Sequence, residues 1–293
     1  MRAPHTTPPP TFERSPEGHR FIDMVEHADP DGCAVALLGM PDDTGVGLNG
    51  GRRGASEGPR GLREALSRLG VAEPGGWSWP RVFDAGDVTP GGTLAETHAR
   101  VTEAARALHD RGMVPVGIGG GHDLTFPFVR ALSEHLGTPP VGVYFDAHLD
   151  VREGEGSGMP FRRLVEDCGV AELHVHGLDP AVNSSAHVNW FASHGGRLDV
   201  FGPEDPWPEG DLFCSFDMDV IDASAAPGVS APNPAGWSSS LALHWAESAG
   251  RCPRVRCFDL MELSPRLDPT GRTCRLAARL LLGFLRGFAE RRA

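Results

Sequence analysis

Lysine is absent from this sequence. All 27 basic residues are arginine, and 39 acidic residues give the chain a formal net charge of −12. This excess of negative charge disfavours binding to nucleic acids and to anionic membrane surfaces, because both carry negative charge themselves. Together with 38 glycines and 26 prolines, the use of arginine alone indicates a coding bias and carries no functional information.

Long apolar runs, paired cysteines and internal repeats are absent as well. No apolar run is long enough to cross a bilayer. Residues 1–20 are rich in Pro and Thr and lack the apolar segment of a targeting peptide, which predicts a disordered arm. The six cysteines form no C-x-x-C pair, so they are expected to be reduced thiols in a cytoplasmic protein. Because no segment of the sequence has the composition of a linker, residues 21–293 are predicted to form a single catalytic domain.

Short apolar runs recur along the chain and alternate with amphipathic patterns. The runs are "CAVALLGMP", "RVFDAGDV", "MVPVGIGGG", "VGVYFDAHLD", "AELHVHGLD", "DLFCSFDMDV" and "VRCFDLMEL". Helical patterns include "LAETHARVTEAARALHDRG" and "TCRLAARLLLGFLRGFAERR". Continuous apolar strands that alternate with helices are typical of a parallel sheet covered on both faces. The sequence therefore predicts an α/β fold with a mainly parallel central sheet in a three-layer α/β/α sandwich.

Acidic residues and histidines cluster at the ends of four predicted strands. Asp146, His148 and Asp150 alternate after one run, and Asp217 and Asp219 alternate at the end of another. If strand geometry persists, alternate residues point to the same side, so each set is predicted to share a direction. In parallel sheets, ligand-binding and catalytic residues lie just beyond the carboxyl ends of the strands, so these segments are expected to meet at one edge of the sheet.

His122 completes the set, because it follows three glycines that let the backbone turn tightly toward a ligand. Four carboxylates at a dry strand edge would repel one another, and two divalent cations cancel their charge. Oxygen-rich ligation with two imidazoles suits Mn²⁺. Two ions about 3.5–4 Å apart would clamp a bridging water and ionise it near neutral pH. Each motif alone also fits a solvated strand end, a glycine turn or capping aspartates, whereas the three in this order favour a metal site.

These motifs resemble those of the ureohydrolases, the family of arginase, agmatinase and formimidoylglutamase. The resemblance covers about residues 34–278 and is carried by "GIGGGHDLTFP", "FDAHLDVRE", "SFDMDVID" and "DLMELSPRLDPTGRTCRLAARLL". It implies an α/β/α fold, two Mn²⁺ ions per chain and a homo-oligomer, either a trimer or a hexamer. It also implies the ligands: His122 and Asp150 for the first ion, His148 and Asp219 for the second, and Asp146 and Asp217 for both. Two catalytic roles follow by the same resemblance: Asp150 holds the bridging hydroxide, and Glu262 pairs with the amidinium of the substrate.

Three local features resemble the formimidoylglutamase branch. Arg152 stands where the arginase pattern has Asn, and its guanidinium can grip a carboxylate in a bidentate manner. Ser157 replaces the His that acts in proton transfer in arginases, while Met159 departs from the Thr of formimidoylglutamases. The segment "LNGGRRGASEGPRGLREAL" resembles the substrate-side loop of that branch. Within this segment the candidate substrate contacts are Asn49, Arg52 and Arg53. Outside it they are Arg152, Ser157 and Glu262.

The predicted reaction is hydrolysis of N-formimidoyl-L-glutamate to L-glutamate and formamide, by attack of the metal-bridging hydroxide. A second interpretation is a ureohydrolase that releases urea from a guanidino acid or an agmatine-like substrate. A third is a metal-binding relative without catalytic activity, although all six ligand positions are intact. A one-zinc deacetylase-like site is disfavoured by the pair Asp217 and Asp219.

Overall fold

Residues 3–13, 20–70, 72 and 79–291 are described by a computed structural model of the chain. These residues form one nine-stranded sheet with the order β1-β3-β2-β4-β9-β8-β5-β6-β7. The strands are β1 Thr6–Thr7, β2 Val35–Met40, β3 Val82–Val88, β4 Val114–Gly119, β5 Val141–Phe145, β6 Leu173–His176, β7 Gly196–Leu198, β8 Leu212–Asp217 and β9 Val255–Met261. All neighbouring strands are parallel except β1, which pairs with β3 in the antiparallel direction.

Eight α-helices are found among the described residues. They are α1 Thr44–Leu48, α2 Gly58–Leu66, α3 Leu94–His109, α4 Thr125–Leu136, α5 Pro160–Cys168, α6 Ser185–Ser193, α7 Ser239–Arg251 and α8 Arg272–Ala289. Local sequence sets several of their ends. The hydroxyl of Thr93 accepts a hydrogen bond from the N–H of Glu96 and so caps the start of α3. Gly137 ends α4 in the left-handed conformation, which glycine adopts without steric cost.

The helices cover the sheet from both sides and bury a separate apolar layer on each. Helices α2, α7 and α8 pack on one face, where side chains such as Leu62, Trp245 and Leu281 join the sheet residues. Helices α3, α4, α5 and α6 pack on the other, with Phe128 and Phe161 among the buried side chains. Central strands are therefore buried on both faces, which explains why they are continuous apolar runs in the sequence. The prediction of a mainly parallel three-layer α/β/α sandwich is confirmed.

The start of the chain differs from the predicted disordered arm over residues 1–20. Thr6 and Thr7 pair with Val88 and Asp87 of β3, so the described part of this segment adds a strand to the edge of the sheet. The backbone groups of an edge strand attract a further segment whatever its side chains, and composition alone did not indicate the pairing. Residues 1–2 and 14–19 lie outside the described residues.

A buried ion pair ties helix α2 to strand β3. The guanidinium of Arg63 is fully buried and donates hydrogen bonds of 2.7 and 2.8 Å to the carboxylate of Asp84. It also donates one of 2.6 Å to Asp87. A buried charge is tolerated only when it is paired in this way, so Arg63 fixes the position of α2 beside the sheet. Among the described residues, no helix is both long and apolar enough to span a membrane.

Candidate metal centre and substrate cavity

Four adjacent strands in the middle of the sheet carry the motif residues at their carboxyl ends. These strands are β4, β9, β8 and β5, in that order across the sheet. His122 follows β4, Glu262 follows β9, Asp217 ends β8, and the segment 146–150 follows β5. Although these segments are far apart in sequence, the parallel order brings them to one edge, as the sequence predicted.

The reason for their convergence differs from the predicted alternation along strands. Strand β5 ends at Phe145, so Asp146, His148 and Asp150 all lie in the loop that follows it. The Asp146 carboxylate accepts a hydrogen bond of 2.6 Å from the N–H of His148, and Asp150 has a left-handed backbone with φ of 47°. Turn geometry, rather than strand geometry, therefore aims these side chains inward.

The end of β8 is built in the same manner. Asp217 accepts a hydrogen bond of 2.8 Å from the N–H of Asp219, and residues 218–220 form a 3₁₀ turn. Aspartate often caps the turn that directly follows it, because its short side chain can accept a hydrogen bond from a nearby backbone N–H. The two carboxylates are thereby directed toward the loop after β5. The prediction that they share a direction because of strand geometry is wrong here also, since Asp219 lies in the turn.

Among the residues that the structure describes, two groups of side chains have the composition of metal sites. In each group the candidate ligand atoms lie within 4.8 Å of one another. The first group is His122, Asp146, Asp150 and Asp217, and the second is Asp146, His148 and Asp219. The six predicted ligands thus come together in two groups that share Asp146, whereas Asp217, which was predicted to serve both ions, belongs to the first group only.

The first group is centred on the imidazole of His122. Its Nδ1 atom lies 3.0 Å from Oδ2 of Asp150 and 3.0 Å from Oδ2 of Asp217. Oδ2 of Asp146 is 3.3 Å away. In the second group, Nδ1 of His148 lies 3.1 Å from Oδ2 of Asp219 and 3.3 Å from Oδ1 of Asp146.

Unpartnered buried atoms support a metal ion at this place. Nδ1 of His122, Oδ2 of Asp146 and Oδ1 of Asp219 are buried and make no hydrogen bond, although charged groups surround them. Buried polar atoms are almost always paired, so unpartnered atoms in both groups indicate a partner with positive charge. The donor set of carboxylate oxygens and imidazole nitrogens fits Mn²⁺.

Electrostatics in the cluster point the same way. Burial, Asp219 and Asp146 raise the pKa of Asp217 well above its usual range. Burial and Asp146 raise the pKa of Asp219 to about 6. Burial opposes a charge on His148, yet Asp219 and Asp146 outweigh burial and raise its pKa to about 12. The cluster therefore demands positive charge, which either protons or metal cations can supply.

A chain of hydrogen bonds behind His122 holds its ring in place. Nε2 of His122 lies 3.1 Å from the hydroxyl of Ser215, and that hydroxyl donates 2.6 Å to Asp259. The hydroxyl of Thr125 donates 3.0 Å to the other oxygen of Asp259. Such outer partners fix the orientation of a ligand imidazole. Ser215 and Asp259 were not predicted from the sequence, although Ser215 continues the alternation of Asp217 and Asp219 in "SFDMD".

Glu262 lies beside the metal groups in a strained backbone conformation with φ of 61°. Its Oε1 atom accepts a hydrogen bond of 3.0 Å from the N–H of His122. Its Oε2 atom is buried and has no partner. Burial raises the pKa of this carboxyl to about 8, so a cation placed beside Oε2 would restore its charge.

A cavity of about 220 Å³ lies above these groups and connects them to solvent. A cavity of this size admits several water molecules and suits a small metabolite rather than a polymer. Besides metal-group residues, the lining includes Asn49, Arg152, Ser157, Ser230 and Glu262. Of the predicted substrate contacts, the structure thus brings Asn49, Arg152, Ser157 and Glu262 to the cavity.

Arg52, Arg53 and Met159 lie elsewhere. The guanidinium of Arg52 donates to the carbonyl oxygens of Val229 and Ser230. That of Arg53 lies 3.4 Å from Asp43. Neither arginine lines the cavity. Met159 is buried and lies against a separate cavity. Sequence spacing alone did not reveal that the two arginines contact neighbouring loops instead of lining the cavity.

The architecture and the two His/Asp groups define an α/β protein of the arginase fold. The crystal structure of Trypanosoma cruzi formiminoglutamase with two Mn²⁺ ions matches with a TM-score of 0.86 at 29% sequence identity. The match covers 93% of this chain and 99% of that protein.

Sequence comparisons identify the family. The sequence model described as "Arginase family" matches residues 33–195 and 204–286, and this chain belongs to that family. Formimidoylglutamase of Aromatoleum aromaticum is 33% identical over 313 residues, which cover 93% of this chain and 88% of the relative. The mitochondrial guanidino acid hydrolase of Homo sapiens is 32% identical over 316 residues, covering 97% of this chain and 87% of that protein. The predicted resemblance to the ureohydrolases is confirmed.

Proposed function

We propose that this protein is a manganese-dependent hydrolase that cleaves a C–N bond of a linear amidine. The proposed substrate is N-formimidoyl-L-glutamate, and the products are L-glutamate and formamide. One arrangement carries the proposal: members of both His/Asp groups line a small cavity, Glu262 lies beside them, and the exposed Arg152 lies at the opening. Relatives named formimidoylglutamase support the same reaction.

The residues proposed to hold two Mn²⁺ ions are the six of the two groups. Their four carboxylates carry four negative charges, which two divalent cations neutralise, while both imidazoles bind in the neutral form. Asp146 belongs to both groups, as a bridging ligand must. When bound, two such metal ions would supply an ionised water molecule as the nucleophile near neutral pH.

The remaining charges of the cavity complement an amidine with an acidic tail. Once the ligand charges are neutralised, Glu262 and Arg152 are the charged side chains left in the lining. The unpartnered Oε2 of Glu262 can accept a hydrogen bond from the amidinium of the substrate. The guanidinium of Arg152 can hold a carboxylate in a bidentate manner. A substrate with a cationic head and an anionic tail fits this polarity.

In the proposed reaction, the oxygen of the attacking water bonds to the formimidoyl carbon. The bond between that carbon and the glutamate nitrogen breaks, and the proton from water passes to the departing amine. Asp150 lines the cavity and lies in the first metal group, so it is placed to orient the water and to transfer this proton. Ser157 provides no imidazole for the task.

The direct test is incubation of the manganese-loaded protein with N-formimidoyl-L-glutamate. We expect L-glutamate and formamide in equal amounts. Absence of glutamate, together with urea release from another amidine, would contradict the substrate and preserve the class of reaction.

A second candidate is hydrolysis of a guanidino acid with release of urea. The human relative named guanidino acid hydrolase favours it, and Arg152 would hold the carboxylate of such a substrate equally well. Urea measured across a series of guanidino acids separates the two candidates. An agmatine-like substrate is disfavoured, because its cationic end would face Arg152.

Two further proposals rest on the family resemblance. The chain is proposed to assemble as a homotrimer or homohexamer, and to act in the cytoplasm. Sedimentation of the purified protein tests the assembly, with a monomer as the contradicting result.

A further inference from the structure

Arg152 is an exposed side chain, and yet three contacts restrain it. Its backbone N–H donates 2.8 Å to the carbonyl oxygen of Gly158. Its stem lies against the α-carbon of Gly158, where an added β-carbon would come within 2.8 Å of Cδ of Arg152. Its Nη1 atom donates a hydrogen bond of 2.8 Å to the amide oxygen of Asn49. The guanidinium is therefore oriented before any substrate enters.

Asn49 is itself well placed to impose that orientation. It ends helix α1, and its N–H donates 3.0 Å to the carbonyl oxygen of Gly45. The same carbonyl accepts 3.0 Å from the N–H of Ser157. Gly156 has φ of 150° and packs so closely that an added β-carbon would lie 3.3 Å from Cβ of Asn49. The loop after α1 and the loop over residues 152–158 thus form one braced unit.

From this geometry, we propose that Asn49 is a positioning residue that makes the site selective for amidines with a carboxylate tail. The inference rests on the proposed function, since it assumes that Arg152 holds that carboxylate. The amide oxygen of Asn49 accepts a hydrogen bond from one of the five N–H groups of the Arg152 guanidinium. The other N–H groups can then donate to a substrate carboxylate. As a neutral acceptor, it orients the guanidinium without cancelling its charge.

The expected benefit is entropic. A free arginine side chain samples many rotamers, and ordering it costs binding free energy each time a ligand is gripped. When Asn49 has ordered the side chain in advance, this cost no longer reduces the affinity. Loss of Asn49 should therefore weaken binding of the acidic tail and leave the chemical step intact, because Asn49 is not one of the metal-group residues or Glu262.

The test compares Asn49→Ala, Arg152→Ala and the double variant, all loaded with manganese. For N-formimidoyl-L-glutamate, or the guanidino acid that the wild type hydrolyses, we expect Asn49→Ala to raise KM by about 3- to 10-fold with kcat nearly unchanged. In the Arg152→Ala background, the same replacement should have no further effect. Asn189→Ala, an exposed asparagine on helix α6, is the matched control and should leave KM unchanged.

The outcomes separate this inference from the proposed function. If Arg152→Ala leaves KM unchanged, the carboxylate role of Arg152 and the role of Asn49 both fall. If Arg152→Ala raises KM while Asn49→Ala does not, only the role of Asn49 falls. Effects that multiply in the double variant would also overturn it, since they would mean that Asn49 acts independently of Arg152.

A crystal structure of Asn49→Ala provides a readout that needs no turnover. We expect the Arg152 guanidinium to leave the position it has in a wild-type crystal of the same form. A guanidinium that stays in place without Asn49 would overturn the inference even if the enzyme acts on a different substrate.

Discussion

The carboxylate of Glu262 accepts a hydrogen bond of 3.0 Å from the backbone N–H of His122. This contact joins the end of strand β9 to the end of strand β4 and leaves the second oxygen of Glu262 buried without a partner. The same residue thus fixes the loop of a candidate metal ligand and presents a free acceptor beside it. The geometry suits a residue that receives the cationic head of an amidine.

Replacement of Glu262 by Gln tests this role. The amide oxygen can still accept from His122, but the negative charge is lost. We expect kcat/KM for the amidine substrate to fall by about 10- to 100-fold, because a hydrogen bond between charged groups contributes roughly 1.5–3 kcal/mol. Metal content should stay at two ions per chain. Glu166→Gln, an exposed residue of helix α5, is the control, and equal kcat/KM for both variants would contradict the assignment.

Replacement of Asp219 by Ala tests the second metal group. Without this carboxylate the group retains His148 and Asp146, and we expect one of two manganese ions to be lost along with most activity. Metal analysis of the dialysed protein gives the count. Asp211→Ala removes an exposed carboxylate next to the opposite end of strand β8 and should retain both ions. Two ions in Asp219→Ala would rule out the assignment of Asp219.

Metal removal should destabilise the fold, because the clustered carboxylates then repel one another. Ion concentrations about 100-fold above the dissociation constant stabilise a protein by roughly 2.7 kcal/mol, so a chelator should lower Tm by about 4 °C in a chain of this length. Scanning calorimetry with and without chelator measures the shift.

Asp217→Asn makes this prediction sharper, since it should change stability in opposite directions in the two states. Removing one of the repelling charges should raise Tm of the chelated protein, while losing a ligand should lower Tm of the manganese-loaded protein. A shift of the same sign in both states would argue against charge repulsion as the cause.

The fold was predictable where side chains decide the structure. All seven apolar runs became strands, since a strand buried on both faces must be apolar along its length. Strands β1 and β7 were missed, because they are two and three residues long and rest on backbone pairing at the edges of the sheet.

The site was predictable at the level of motifs and not of contacts. Parallel topology alone brings the ends of β4, β9, β8 and β5 together, so the metal groups followed from the sequence. The partners that orient Arg152 and His122 did not. Asn49 is 103 residues from Arg152, and Ser215 is 44 residues from Asp259, and no local pattern connects such pairs.

A buried histidine remote from the cavity predicts a pH effect on stability. His109 of helix α3 is buried, its Nε2 has no hydrogen-bond partner, and burial lowers its pKa to about 3. Below pH 6.5 the unfolded chain therefore binds a proton that the folded chain does not. The contribution of His109 to the free energy of unfolding is therefore constant above pH 6.5, and it becomes increasingly unfavourable as the pH falls from 6.5 toward 3.

His109→Leu should abolish this contribution. We expect the free energy of unfolding of the wild type to fall relative to the variant by about 1.4 kcal/mol per pH unit below 6.5. Urea unfolding of both proteins at pH 7.5, 6.5 and 5.5 measures the difference. Parallel pH profiles would show that His109 is protonated in the folded protein as readily as in the unfolded chain.

A crystal structure of the protein grown with excess manganese, with anomalous scattering to locate the ions, addresses the metal centre itself. We predict two ions about 3.5–4 Å apart, bound by His122, Asp146, His148, Asp150, Asp217 and Asp219. Ions bound at other residues, or these six side chains turned away from any ion, would contradict the proposed chemistry.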